Sequence, residues 1–199
     1  MFSVGNTVEV VQSNNWGFPV GYIGKITVIE TDEDGARYQV DDRFWHPKEE
    51  LKLTKTRGFE VVSGFEDISL PRRQTTNSAG YDFEAAEEVI IMPGEVQLVP
   101  TGVKAYMQPD EYLGLHIRSS LAVKQRLTLI NAQGIVDADY YNNPSNEGHI
   151  QFAIVNHSNQ LAVIEKGQRI GQGIFYKFLK VDDDEPVGVR TGGTGSTGE

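Results

Sequence analysis

Short runs of β-branched and aromatic residues, each closed by glycine, proline or acidic turn residues, recur along this 199-residue chain, and no segment keeps a helical period. That pattern confines the fold to the all-β class. Side chains that alternate every second residue give a strand one apolar face, which needs a facing sheet to bury it. The runs 8–11, 25–29 and 37–40 read as short strands, with a single helical turn at 47–51 before a last run at 51–53. A polar stretch, Thr54-Lys55-Thr56-Arg57-Gly58, then marks a boundary. Beyond it come runs at 59–62, 89–91, 96–99, 112–117, 150–155 and 173–178, with turns at Pro93-Gly94 and Pro109-Asp110. Regularly spaced short strands of this kind predict a jelly-roll or a related β-barrel.

Charge bounds what such a chain can act on. A formal net charge of −10 lacks the basic surface that broad nucleic-acid binding needs for counterion release. A small anionic ligand is still open, because a few placed cations, backbone N–H groups and a metal ion suffice to hold one. The clusters Asp32-Glu33-Asp34 and Asp182-Asp183-Asp184-Glu185 read as solvated loops. With no cysteine there is no disulfide, thiolate metal site or cysteine nucleophile. His46, His116, His149 and His157 are too scattered for a dedicated metal cage. No apolar stretch reaches bilayer length and the N-terminus does not read as a signal peptide, so a soluble, cytoplasmic protein is expected.

The chemistry concentrates in Gly134-Ile135-Val136-Asp137-Ala138-Asp139-Tyr140. It follows the apolar run Leu127-Thr128-Leu129-Ile130, so the two read as a β-hairpin with carboxylates and an aromatic at its mouth. Alone, this is an ordinary surface turn, with Asp137 capping a neighbouring N–H. Four further segments change that reading. They are Ala79-Gly80-Tyr81-Asp82, Arg118-Ser119-Ser120-Leu121-Ala122, Gly167-Gln168-Arg169-Ile170-Gly171-Gln172, and the tail from Gly192 to Gly198. In this order the five resemble the motifs of the trimeric dUTP pyrophosphatase (dUTPase) family, across about two thirds of the chain from near Ser63 onward.

The resemblance implies a homotrimeric jelly-roll enzyme that uses Mg2+ to cleave dUTP into dUMP and pyrophosphate. Asp137 matches the catalytic carboxylate that activates water, and Asp139 is the lesser candidate for that role. Asn131 matches the uracil-reading amide, which offers both a donor and an acceptor, with backbone groups of Gly134, Ile135 and Val136 completing the recognition. Tyr140 matches the aromatic packed on the deoxyribose, where its ring takes the space of a 2′-hydroxyl. Arg118, Ser119, Ser120 and Gln172 are the implied phosphate ligands, and Gln151 is a further substrate contact. The family's usual residue at Ser120 is glycine. Arg169 reads as a brace acting through a carboxylate, and Asp82 as a residue touching the metal's waters. In the tail, Ser196 and Thr197 match a phosphate-contacting pair and Arg190 the arginine of the γ-phosphate.

Two departures stand out. Thr194 occupies the place of a phenylalanine that stacks on uracil, a loss on the order of 1–3 kcal/mol that predicts a weaker lid. Residues 141–147 are an insertion whose expected state is a solvated loop, with a role at the site's rim as the alternative. A dCTP deaminase or bifunctional deaminase-diphosphatase of the same superfamily is the nearest rival. Its signature puts a glutamate where Ala153 stands, so the proton carrier for deamination is missing. A non-catalytic nucleotide-binding regulator is the other. The expected organisation is an SH3-like small barrel at 1–56, a dUTPase-like jelly-roll at 57–181, and an acidic linker with a glycine-rich lid at 182–199. Trp16, Phe18, Tyr22, Phe44 and Trp45 offer the first of these a binding face. Its excess of acids over bases points to a protein partner or trimer reinforcement rather than nucleic acid.

Overall fold

The structure, a computed structural model, describes residues 2, 4–13, 17–32, 35–186, 188, 190 and 192. Trp16, Glu33, Asp34, Thr194, Ser196 and Thr197 lie outside the described residues. The chain divides into two compact units, Met1–Thr56 and Arg57–Glu199.

In the first unit, β1 (Thr7–Val10), β2 (Ile23–Asp32), β3 (Gly35–Val40), β4 (Phe44–Pro47) and β5 (Leu51–Leu53) form one antiparallel sheet in the order β4-β3-β2-β1-β5. Val8 and Val10 point inward and are fully buried, whereas the alternate residues Thr7 and Glu9 are not, which is the period-two signal read in the sequence. They pack with Ile26, Tyr38, Val40 and Leu51. Asp41 and Asp42 turn β3 into β4 with φ of 49° and 56°, values that aspartate tolerates better than most residues. The Asp41 carboxylate then accepts bonds from the Lys25 N–H (2.9 Å) and the Tyr22 hydroxyl (2.8 Å), fixing the turn to β2.

The second unit is all-β with little helix, consistent with a jelly-roll. Its strands are β6 (Gly58–Val61), β7 (Tyr81–Glu84), β8 (Val89–Ile91), β9 (Val96–Pro100), β10 (Val103–Tyr106), β11 (Glu111–Ile117), β12 (Leu127–Leu129), β13 (Gly134–Asp137), β14 (Gln151–Asn156), β15 (Ala162–Ile164) and β16 (Arg169–Lys177). They form four sheets, in the orders β13-β11-β16-β7, β12-β14-β9, β15-β8 and β10-β6. Phe83, Leu113, Leu127, Phe152, Ile154 and Ile170 are fully buried between them. Each such side chain contributes about 1.5–3 kcal/mol by leaving water. At the foot of β11, the buried Glu111 takes two hydrogen bonds from Arg57, at 3.0 and 2.5 Å. Those bonds hold its carboxyl below the ordinary carboxylate range and keep it charged where burial alone would not.

Two expectations are corrected here. Residues 127–140 are not a hydrogen-bonded hairpin: β12 pairs with β14 while β13 pairs with β11, so the chain crosses between two sheets. Leu127 and Leu129 are both buried, which commits β12 to its own sheet, and Ala132 at φ 61° turns the chain toward the other. The reading that no segment is helical beyond a single turn also fails, since Ser119–Gln125, which begins within the Arg-Ser-Ser segment, forms a seven-residue helix, α1. With only Leu121 buried, two turns of helix leave no periodic signal in the sequence.

Candidate active site

The crossover between β12 and β13 forms one wall of a cavity of about 310 Å³, within the range that small-molecule sites occupy. Asn131, Gly134, Ile135, Val136, Asp137, Tyr140, Gln151 and Arg190 all line it. The strand register places them. Pairing β13 with β11 sets Gly134 opposite Leu115 and Asp137 opposite Tyr112, which sinks Val136 into the core and carries Asp137 to the cavity's lip. A short 3-10 turn, Ala138–Tyr140, brings Asp139 and Tyr140 round beside it. Asp137 precedes this turn without capping it, so its carboxylate is not spent on a local N–H. Among the described residues no hydrogen bond engages the Asn131 side-chain amide, leaving its donor and acceptor to the cavity.

The electrostatics centre on Asp137. Partial burial raises its carboxyl above the ordinary carboxylate range, with the Arg190 charge opposing that rise and Asp139 adding to it. Arg190 binds both acids, Asp137 at 2.5 Å and Asp139 at 2.8 Å, and lies over the Tyr140 ring at 5.6 Å. The tail arginine implied for a phosphate thus rests on the carboxylates of its own chain.

Sequence reasoning missed several lining residues. Leu98, Leu115, Leu129, Ile150 and Ala153 supply apolar walls, and His149 stands beside Gln151. His149 Nε2 accepts the Gly102 N–H at 2.9 Å, and an N–H can only donate, so this nitrogen carries no proton. Burial lowers its pKa as well. Nothing in a lone histidine two residues before Gln151 signals such a position.

The remaining predicted residues gather elsewhere. Arg118 follows the end of β11 and donates its N–H to Ile170 at 2.9 Å, and Ser119 and Ser120 open α1. Gln172 sits on β16 between His116 and Asp82. A side chain at Gly80 would collide with it, so this glycine is needed for the close approach. Asp82 takes the Arg169 guanidinium at 3.1 Å. Arg118 lies just past the end of β11, six residues from Tyr112, the partner of Asp137, so the two backbones are about 20 Å apart at strand rise. One chain therefore carries two separate clusters: an acid-lipped cavity, and a group of Arg118, Ser119, Ser120, Gln172 and Asp82.

The insertion is more ordered than a plain solvated loop: Asn142, Pro144 and Ser145 are exposed, but the loop is knitted by its own side chains. Asn143 is buried, and its Oδ1 accepts from Ser145 N–H (3.1 Å), Ser145 Oγ (2.7 Å) and Asn146 N–H (3.2 Å). Gly148, at φ 81°, closes the loop so tightly that an added Cβ would meet the Tyr140 carbonyl oxygen.

An all-β domain with a carboxylate at the mouth of a half-apolar cavity, and with Arg118, two serines and Gln172 grouped apart from it, has the donors and acceptors that a site for a small anionic substrate needs. The comparisons narrow it. A model described as dUTPase matches residues 66–198, and the chain belongs to the dUTPase family. A deoxyuridine 5'-triphosphate nucleotidohydrolase of Lactococcus lactis subsp. lactis is 53% identical over 148 residues, covering 72% of this chain and 99% of that relative. Its counterpart in Rickettsia felis is 40% identical over 156 residues, covering 74% and 98%. Among solved structures, a dUTPase from Streptococcus mutans is 49% identical with a TM-score of 0.59, covering 63% of this chain and 98% of that one. A dUTPase from phage phi11 of S. aureus shares 20% identity with a TM-score of 0.57 over 66% and 96%, a likeness of fold.

Proposed function

We propose that this chain hydrolyses dUTP to dUMP and pyrophosphate, with Asp137 activating a water against the α-phosphorus. The observation that carries the reading is an uncapped carboxylate at the lip of a cavity where Asn131, Tyr140 and Gln151 converge, in a chain of this family. Asn131 and the backbone from Gly134 to Val136 read the uracil edge, and the cavity's closeness excludes thymine's methyl. Tyr140 packs on the deoxyribose. Arg118, Ser119, Ser120 and Gln172 hold phosphate oxygens, with Arg190, Ser196 and Thr197 from the tail.

Mg2+ fits this donor set in one way. Among the described residues no group of three His, Cys, Asp or Glu side chains could cage an ion, and the Asp82 carboxylate already takes Arg169. Its inner ligands would be phosphate oxygens and water, with Asp82 meeting that water shell. Bound there, the ion neutralises charge on the triphosphate.

The two clusters, about 20 Å apart in one chain, support a homotrimer in which one subunit's phosphate ligands serve another's cavity. Exposed Leu98, Ile130 and Ile135, each more than half accessible, give the apolar surface such an assembly covers. Residues 1–56 form an SH3-like barrel for a protein partner or trimer reinforcement, and 182–199 a linker and lid. No helix among the described residues is long and apolar enough to cross a membrane. Ala153 lines the cavity where deamination would need a carboxylate.

Product analysis in 18O-labelled water, with dUTP, dTTP, dCTP and UTP in parallel, tests the reading. Expected are pyrophosphate from dUTP far above the others, label in dUMP, and no ammonia from dCTP. Label in pyrophosphate, or equal turnover of dTTP, would overturn it.

The raised pKa of Asp137 adds a pH prediction. A base works deprotonated, so kcat/KM falls as pH drops through its pKa. Arg190 opposes the rise and Asp139 adds to it. Arg190→Gln should therefore move the acid limb to higher pH, and Asp139→Asn to lower pH. A profile of kcat/KM whose limb stays fixed in both variants would show that Asp137 is not the titrating group.

A further inference from the structure

The loop 141–148 reaches the Tyr140 phenol from behind. Asn146 Nδ2 donates to Tyr140 Oη at 2.8 Å, and that hydroxyl donates in turn to the His149 carbonyl at 3.2 Å. The orientation of the Asn146 amide is determined, because its Oδ1 accepts the Gly148 N–H at 3.1 Å and an N–H cannot accept. Asn143 locks both neighbours, donating to Asn146 Oδ1 at 2.7 Å and to the Tyr140 carbonyl at 2.9 Å. The loop's ends are fixed too. Lys104 ties down Asn142 (2.8 Å) and Glu147 (3.0 Å), and the Asn142 N–H donates to the Glu147 carbonyl at 3.0 Å. Neither asparagine lines the cavity, yet together they hold the ring that does.

We propose that Asn146 is a positioning residue for Tyr140, and that through it the loop 141–148 sets how strongly the site rejects a ribose 2′-hydroxyl. The inference rests on reading Tyr140 as the wall against the deoxyribose. A phenol held at both its donor and its acceptor cannot rock aside, whereas a ring held by packing alone can yield to one extra oxygen. Losing a single such hydrogen bond typically changes an equilibrium about five- to tenfold.

The test is the ratio of kcat/KM for dUTP over UTP in the full chain. Asn146→Ala should lower that ratio about five- to tenfold, with KM for dUTP rising more than kcat falls. Tyr140→Phe, which removes the phenol oxygen and with it both of its bonds, should show a loss at least as large, and the double variant little further loss, because the Asn146–Tyr140 bond is already cut in either single variant. Unchanged selectivity in Asn146→Ala, or losses that multiply in the double variant, would overturn the inference. Should Asn146→Ala not fold, Tyr140→Phe alone decides, and unchanged selectivity there overturns it as well. An unmodified protein that fails to hydrolyse dUTP would instead overturn the reading of the site, and this inference with it.

Discussion

Asp137→Asn should lower kcat for dUTP by about 10²–10⁴-fold, the range that a positioned general base supplies. Asparagine keeps the shape and size of aspartate, so the strand register that puts this residue opposite Tyr112 survives the change. What disappears is the lone carboxylate able to take a proton from water. Binding should not weaken, because removing a negative charge beside a triphosphate reduces repulsion. The contrast of lost turnover with retained affinity separates a base from a binding group, and isothermal titration with a non-hydrolysable analogue beside steady-state kinetics measures both. Retained turnover would hand the base to another residue, with Asp139 the nearest candidate. Asp139 is the poorer choice on geometry: it stands within the 3-10 turn rather than on the strand, and only Asp137 lines the cavity.

Much of this was legible in the sequence, for physical reasons that differ from residue to residue. The buried alternation of Val8 and Val10 was plain because a strand's side-chain period is two. Asn131, Asp137 and Tyr140 were singled out by the resemblance of five segments to one family, and because they fall close together in sequence the crossover brings all three to one cavity. The crossover itself was not. An apolar run, a turn and a second apolar run look alike whether the two strands pair with each other or with separate partners, and only tertiary contacts decide between those outcomes. The helix α1 was hidden by its length, and the order within 141–147 by its composition. A stretch of asparagine, proline and serine reads as solvent-exposed until Asn143 is seen to be buried among the loop's own amides. His149 and the apolar walls came from strands distant in sequence, which no local pattern could join to Asp137.

The separation of the two clusters leads to the second large effect. Arg118→Ala should reduce kcat/KM by about 10²–10³-fold, as expected when a charged ligand of the reacting phosphate is removed. Its consequence in mixtures matters more. On the proposed reading, with the Arg118 and Asp137 backbones about 20 Å apart along one chain, each residue serves a site that a neighbouring subunit completes. A variant lacking only Arg118 therefore still offers an intact Asp137 to its neighbour, and a variant lacking only Asp137 still offers an intact Arg118.

Co-refolding Arg118→Ala with Asp137→Asn in equal amounts, and comparing the activity with that of each variant refolded alone, measures this directly. In a symmetric trimer whose sites span neighbouring subunits, random mixing should restore about a quarter of the sites, lifting activity far above either parent. Activity no greater than the average of the two parents would contradict the account. It would place both residues in one subunit's site, or one of them outside the site altogether.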